Sequence, residues 1–303
     1  MLTRYEHGGI VWIDLETPTA REVQDIAAER GIAPLVAEEL LLPSTKPRIE
    51  FHETYAYVIL HFPALRQGHK SQEQEIDFVI GRDFLITTHY DTIDPLHKFS
   101  KVFEVNSVLD KSTLGEHAGY VFFYMLKKMY RSIEHEIEYL RQDLSLIEEN
   151  IFSGREVDMV SIISQAARDL LKLRQTIEPH REVLHALEAE GTKFFGEDFA
   201  PYLRALSNEY YRVHNHVMRH TDFLHELRET NNSLLTTKQN ETIKTLTIMA
   251  FIILPLSFIA ELFAMGARYE PIIGSPYDFW IIFGIMCIVG LSIILFFKSR
   301  KWL

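Results

Sequence analysis

The sequence has almost no cysteine and no excess of positive charge. Cys287 is the single cysteine among 303 residues, so an intrachain disulfide cannot form. This is usual for proteins of a reducing compartment. Lys and Arg number 31 against 42 Asp and Glu, which gives a net charge of −11. Because a phosphate backbone is bound through clustered Lys and Arg, this charge argues against a nucleic-acid partner.

The sequence also lacks the local motifs that mark common catalytic sites. It has no glycine-rich phosphate loop, no GxSxG and no HExxH. We therefore predict that the protein is not an enzyme. Residues 1–14 contain Arg4, Glu6 and His7 and have no apolar core, so they do not resemble a secretory signal. We expect the N-terminal part to remain in the cytoplasm.

Long apolar runs are confined to the C-terminal fifth of the chain. Residues 246–265 contain one charge, Glu261, and residues 279–297 contain none. About 20 apolar residues in a helix match the ~30 Å hydrocarbon core of a bilayer. The two runs therefore predict two transmembrane helices, joined by an outer loop at 266–278.

Basic residues set the orientation of these helices. Residues 298–303 read KSRKWL, and Lys238 and Lys244 precede the first run. Because positive residues favour the inner side, we expect both termini to be cytoplasmic and the protein to lie in the inner or plasma membrane. Two helices cannot enclose a water-filled path, so transport requires a homo-oligomer.

The preceding part of the chain predicts a mixed α/β subdomain over residues 1–110. Thr17-Pro18 followed by an amphipathic run to Arg30 indicates a capped helix, and residues 81–83 indicate a hairpin turn. We expect a modest antiparallel sheet. Its strands are predicted at 10–15, 48–51, 55–62, 75–80 and 84–88, which are rich in β-branched and aromatic residues.

Helical periodicity begins near residue 111. Residues 111–196 predict a helical hairpin with helices at 114–152 and 157–189, the second broken by 191–196. Residues 197–265 predict one stalk helix about 100 Å long at 1.5 Å per residue. This stalk continues into the first span through Pro255, which a membrane helix tolerates. A basic cytoplasmic tail, 298–303, follows the second span.

Three stretches of the sequence resemble the CorA-type magnesium channels. They are NETIKTLTIMAFIILPLSFIAELFAM (240–265), the terminal KSRKWL and FVIGRDFLITTHYD (78–91). The resemblance implies a CorA-like fold, with an α/β cytoplasmic domain followed by a long stalk helix and two C-terminal transmembrane helices. It also implies a homopentamer that conducts Mg²⁺, and sometimes Co²⁺ or Ni²⁺, and that closes when its cytoplasmic metal sites are filled.

The chain departs from the family at the outer end of the first span. The family carries Gly-Met-Asn there, whereas this sequence has Ala264, Met265 and Gly266, and no Asn occurs in residues 266–278. This departure therefore allows alternatives to Mg²⁺ transport. The alternatives are a proton-coupled carrier of Zn²⁺ or another transition metal that uses Glu261, and a membrane-anchored metal sensor that does not conduct.

Spacing defines a predicted pore face on the first span. Its members follow steps of three and four residues, typical of a helix in a symmetric bundle, although on spacing alone its apolar members could equally pack helix against helix. They are Asn240, Ile243, Thr247, Ala250, Leu254, Ser257, Glu261 and Ala264, with Leu246 at the edge. The resemblance makes Leu246 a pore residue, places an inner gate at Asn240, Ile243, Leu246 and Leu254, and places an acidic ring near Glu229.

Glu261 leads to the sharpest hypothesis. It lies 21 residues, or six periods of 3.5, after Asn240, which directs it toward the axis of a bundle. A ring of five such carboxylates would replace the missing Asn ring as the outer cation site. The alternative is a Glu at the outer interface that reaches water or pairs with Arg268.

A weaker metal site is predicted further down the stalk. His216 and His220 are four residues apart, so they share a helix face and could bind Zn²⁺ or Co²⁺. Asp222 or a neighbouring subunit would supply the third ligand. The alternative is that this spacing arose by chance among 14 histidines.

Overall fold

The computed structural model describes residues 1–63, 73–108, 117–265, 272, 276–300 and 302, without the side chains of 105–108. These residues form two compact units, Met1–Arg228 and Glu229–Leu303. Gly266, the last member of the predicted outer motif, and Arg268 lie outside the described residues.

A six-stranded sheet forms the centre of the first unit. Its strands lie in the order β1-β2-β6-β5-β4-β3. The hairpin predicted at residues 81–83 joins β5 to β6, and Gly81 N donates to Phe84 O at 2.8 Å. The strands are β1 (Leu2–His7), β2 (Ile10–Glu16), β3 (Arg48–Phe51), β4 (Ala56–Pro63), β5 (Glu73–Ile80) and β6 (Phe84–His89).

The sheet differs from the antiparallel prediction in two respects. First, β2 and β6 pair in parallel, with Val11 opposite Phe84. Second, β1 was not predicted, because its sequence LTRYEH has little β-branched or alternating character. It pairs with β2 across a two-glycine turn in which Gly8 and Gly9 have φ of 58° and 78°, values that glycine adopts without strain.

Seven helices of the described chain begin within the first unit. Helix α1 starts at Thr19, two residues later than predicted, where Thr19 and Glu22 form a reciprocal capping box. Helices α2 and α3 were not predicted. The helices are α1 (Ala20–Arg30), α2 (Pro34–Glu39), α3 (Asp94–Val108), α4 (Ala118–Phe152), α5 (Glu156–Ile177), α6 (His180–Phe195) and α7 (Ala200–Ala264).

The predicted helix at 157–189 is in fact two helices. Helix α5 ends at Ile177 and α6 begins at His180, because Pro179 has no N–H with which to continue the hydrogen-bond ladder. Helix α6 passes through Gly191, the first residue of the break predicted at 191–196, and ends at Phe195, where Gly196 follows with φ of 103°. A Cβ on Gly191 would lie 3.0 Å from Leu203 Cδ1, so Gly191 permits close packing.

Each face of the sheet is covered by helices. One face packs on α1 and α2 through residues such as Ile13, Ile26 and Val36. The other packs on α3 to α7 through residues such as Trp12, Phe122 and Leu206. The first unit is therefore a three-layer α/β/α domain.

The second unit contains the C-terminal part of α7 and helix α8 (Asp278–Ser299). Both helices contain a segment long and apolar enough to cross a membrane, and α7 continues through Pro255. Within this unit Leu256 approaches Gly290, where a Cβ would lie 3.7 Å from its Cδ1. The rings of Phe251 and Phe297 are 6.1 Å apart.

Candidate functional site

Helix α7 has a packed face in the second unit. Leu256 approaches Gly290 of α8 on this side, and the residues around Leu256 are buried or half-buried. They recur at steps of one, three or four residues: Ile248, Ile252, Pro255, Leu256, Ile259 and Phe263. This spacing is that of a single helix face, so one side of α7 is assigned to packing within the chain.

The predicted pore face lies on the opposite side of α7. At 100° per residue its centre is about 180° from the centre of the packed face. Ile243, Leu246 and Leu254 are 52%, 61% and 68% exposed. Thr247, at the border, is half-buried, and the other members are exposed. Within the described residues, the predicted pore face apart from Thr247 is therefore turned away from α8 and available to another chain or to water.

The composition of this face differs from that of its flanks. Six of its nine members are small or polar, including Ala250, Ser257 and Glu261. The flanking sides instead carry exposed large apolar residues: Met249, Phe251, Ile253, Phe258 and Leu262. In a bilayer, large apolar side chains suit lipid, whereas small and polar ones suit a neighbouring helix or a water-filled path.

The threonine hydroxyls of this region are held by their own helix. Thr247 Oγ1 donates to Ile243 O at 2.8 Å, and Thr242 Oγ1 donates to Lys238 O at 3.0 Å. Each hydroxyl proton is therefore directed at the backbone. The hydroxyl lone pairs remain as acceptors on the helix surface, which is the polarity that a hydrated cation requires.

Two carboxylates of α7 belong to the predicted path, and they lie at different levels along the helix. Glu229 is exposed and precedes Asn240, also exposed, by about three helical turns. Glu261 is exposed one turn after Ser257, and within the described part of the chain it forms neither a hydrogen bond nor an ion pair. Ala264 ends α7, and Met265 beyond it is 77% exposed.

His216 and His220 do not form a complete metal site. Both are half-buried, and burial, followed by the charges of His216 and Arg219, lowers the pKa of His220. The neighbouring carboxylate, Glu138 of α4, is already bound to Arg141, whose NH2 lies at 2.7 Å. Across the described ranges, no three His, Cys, Asp or Glu side chains are placed to bind a metal together.

Sequence reasoning missed a buried acidic pair in the sheet, Glu75 and Asp77. Asp77 is fully buried and accepts a hydrogen bond from Tyr57 Oη at 3.3 Å, while Glu75 accepts one from Ser44 N at 2.8 Å. Burial, and then the charge of Glu75, raise the pKa of Asp77 to about 9, so it is protonated at neutral pH. The alternation in EQEIDFVI indicated a solvent-facing polar side, but the structure shows that this side is covered.

A second missed group joins the ends of β2 and β6. His89 Nε2 lies 3.4 Å from Asp14 Oδ1, and His89 Nδ1 lies 2.7 Å from Asp91 O. Burial lowers the pKa of His89, but the hydrogen bond to Asp14, the charge of Asp14 and the hydrogen bond to the Asp91 carbonyl together raise the pKa overall. The parallel pairing of β2 with β6 brings these residues together, and no local sequence signal indicates it.

Comparison with known proteins agrees with the fold and with the transmembrane pattern. The profile of the "CorA-like Mg2+ transporter protein" family matches residues 7–300. The cobalt/magnesium transport protein CorA of Thermotoga maritima is 25% identical over 285 residues, which are 93% of this chain and 80% of that protein. CorA of Methanocaldococcus jannaschii is 19% identical over 299 residues, covering 99% and 93%.

The complete structure of the Methanocaldococcus jannaschii CorA magnesium transporter superposes with a TM-score of 0.85 and covers 99% of this chain and 93% of the other. The sequence identity is 19%, so this likeness establishes the fold. The predicted fold class, an α/β domain followed by a long helix and two apolar C-terminal helices, is confirmed.

Proposed function

Since this chain belongs to the CorA-like Mg²⁺ transporter family, whose members carry divalent cations and are not enzymes, we propose that it is a homopentameric divalent-cation channel. Five α7 helices would line the path, and five α8 helices would surround them. Mg²⁺ is the main ion of this proposal, with Co²⁺ and Ni²⁺ as further candidates and Zn²⁺ as the alternative. Cytoplasmic Mg²⁺ would regulate closure.

One observation carries the proposal: α7 is a single helix whose small and polar face lies opposite its contacts with α8. That face has no apolar partner within the described chain, and two helices cannot enclose water. Five copies would turn this face, with its exposed Ile243, Leu246 and Leu254, toward a common axis. The first unit would remain in the cytoplasm together with the C-terminus, with Trp302 at the inner interface, where its ring stacks on Phe297 at 5.9 Å.

The sequence of rings along the predicted pore face suggests a mechanism. Ile243, Leu246 and Leu254 would form apolar constrictions that close by excluding water. Asn240, Thr247 and Ser257 would offer oxygen atoms to the water shell of a passing ion. Mg²⁺ releases its bound water reluctantly, so such polar rings suit it better than a tight all-protein cage. Glu229 would collect cations on the cytoplasmic side.

Flux into liposomes tests this function. Purified full-length protein should admit Mg²⁺, reported by an enclosed indicator, and Leu254→Ala should raise the resting flux because it removes an apolar ring. Leu262→Ala is the matched control, since it makes the same change on a flank of α7 and should leave flux unchanged. Native mass spectrometry should show five chains.

Two results would contradict the channel. A folded protein that passes none of Mg²⁺, Co²⁺, Ni²⁺ and Zn²⁺ would favour the sensor that does not conduct. A monomer or dimer as the only species in detergent would leave α7 unable to form a closed path. Zn²⁺ flux that depends on an imposed pH gradient, without Mg²⁺ flux, would instead support the proton-coupled carrier.

A further inference from the structure

Glu261 is the single charged residue of the first apolar run, and the proposed mechanism does not yet use it. A charged side chain within a membrane helix is costly and is usually retained where it faces an aqueous cavity or a partner. Within the described chain Glu261 is exposed and has no partner for a hydrogen bond or an ion pair. The described residues of one subunit therefore do not compensate this charge.

The position of Glu261 on α7 selects among its possible surroundings. It lies one turn beyond Ser257 and two turns beyond Leu254, on the predicted pore face. The exposed large apolar residues Phe258 and Leu262 are centred about 60° and 100° around the helix from Glu261, on a flank suited to lipid. Glu261 itself lies near the centre of the predicted pore face, which it shares with Ala250, Leu254, Ser257 and Ala264.

The level of Glu261 along the helix also matters. It lies three residues before Ala264, where α7 ends. If five α7 helices line the path, as the proposed function states, five carboxylates meet in its outermost turn. Carboxylate oxygens are hard ligands that bind divalent cations, and fixed negative charge raises the local cation concentration. Neighbouring carboxylates repel one another unless a cation or a proton lies between them.

We propose that Glu261 determines ion specificity at the outer mouth, where a ring of its carboxylates binds the entering divalent cation in competition with protons. The inference rests on the proposed function and names the residue that selects the ion. Selection by such a ring depends on charge, so it favours divalent over monovalent cations. Ser257, one turn deeper, receives the ion through its water shell.

Flux measured against outside Mg²⁺ concentration and outside pH tests this assignment. Glu261→Gln keeps the shape and removes the charge, so the half-saturating Mg²⁺ concentration should rise about tenfold or more, as expected when a charged cleft loses its field. Inhibition of wild-type flux by outside acid should disappear in the same variant. Glu241→Gln is the matched control, because Glu241 is an exposed carboxylate on the same helix, away from the predicted pore face.

Two further variants separate charge from shape. Glu261→Asp should keep both the inhibition by outside acid and the low half-saturating Mg²⁺ concentration of the wild type. The double variant Ser257→Glu with Glu261→Gln restores a carboxylate one turn deeper on the same face, and it should recover acid inhibition. Native mass spectrometry of every variant reports assembly, and if Glu261→Gln fails to assemble, Glu261→Ala takes its place.

The inference is overturned if Glu261→Gln assembles and matches the wild type in both half-saturation and pH profile. This result is distinct from failure of the proposed function. If the wild type conducts and Leu254→Ala leaks while Glu261→Gln is unchanged, the channel stands and the role of Glu261 falls. If the wild type does not conduct at all, both fall together.

Discussion

Replacing Asp77 by Asn should stabilise the first unit relative to wild type, and this difference should grow as pH rises. Asp77 is fully buried, and burial together with the neighbouring charge of Glu75 raises its pKa to about 9. The folded protein therefore holds a proton that the unfolded chain releases above about pH 4. Between these values the folded state binds one more proton, so the stability that Asp77 contributes falls as pH rises.

The size of the effect follows from that proton. Each pH unit within the window changes the free energy of unfolding by RT ln 10, so wild type should lose about 3 kcal/mol relative to Asp77→Asn between pH 6 and 8. For a domain of this size the loss corresponds to roughly 6 to 12 °C in melting temperature. The carbonyl of Asn can accept the hydrogen bond that Tyr57 Oη donates to Asp77.

Thermal unfolding of the full-length protein in detergent measures this difference. Buried Trp12 lies in the sheet core and reports the unfolding of the first unit by its fluorescence. Asp25→Asn is the control, because Asp25 is exposed on α1 and its replacement should leave the pH dependence unchanged. The reasoning fails if Asp77→Asn melts below wild type at pH 8, or if the gap between them does not grow from pH 6 to 8.

Three further changes test other parts of the first unit. Burial lowers the pKa of His89, but Asp14 and the Asp91 carbonyl together raise it overall, so its stabilisation is present below about pH 6.5 and is lost as pH rises through the folded pKa. His89→Gln should therefore reduce stability at pH 6 more than at pH 9 in urea titrations, and an equal loss at both would refute the assignment. Tyr130→Phe removes the hydroxyl that lies 3.0 Å from His180 Nδ1 inside the core. It should cost about 1–3 kcal/mol in the free energy of unfolding, and no measurable loss would mean that water replaces the hydroxyl. Thr19→Ala removes the capping box of α1 and should cost about 1 kcal/mol by the same titration; an unchanged midpoint would show that α1 does not depend on its cap.

The elements predicted well from the sequence are those defined by local spacing. The helix ending at Ala264, the two apolar runs and the hairpin between β5 and β6 each follow from run length, periodicity or turn residues within a few turns of chain. The pattern of the predicted pore face is of the same kind, since it depends on the period of one helix. Spacing alone predicted which side of α7 carries this face, and the role of the face in conduction stays a prediction.

Some signals were present in the sequence but were read wrongly. Pro179 marks the break between α5 and α6, because a prolyl ring cannot continue the hydrogen-bond ladder, whereas the break was predicted at 191–196. Gly191 remains helical because the close approach of Leu203 favours a residue without a side chain. A glycine can therefore end a helix or allow close packing, depending on which residue lies against it in the folded protein. Local sequence does not identify that residue.

Tertiary structure alone decided which residues meet across long separations. The parallel pairing of β2 with β6 brings Asp14 to His89, and helices α1 and α2 cover the face of the sheet that carries Glu75 and Asp77. The contact of Leu256 with Gly290 decides which side of α7 faces α8 and which side remains open. Local spacing is encoded by neighbours in the chain, whereas these contacts join residues brought together by the packing of whole elements, which no short window of sequence contains.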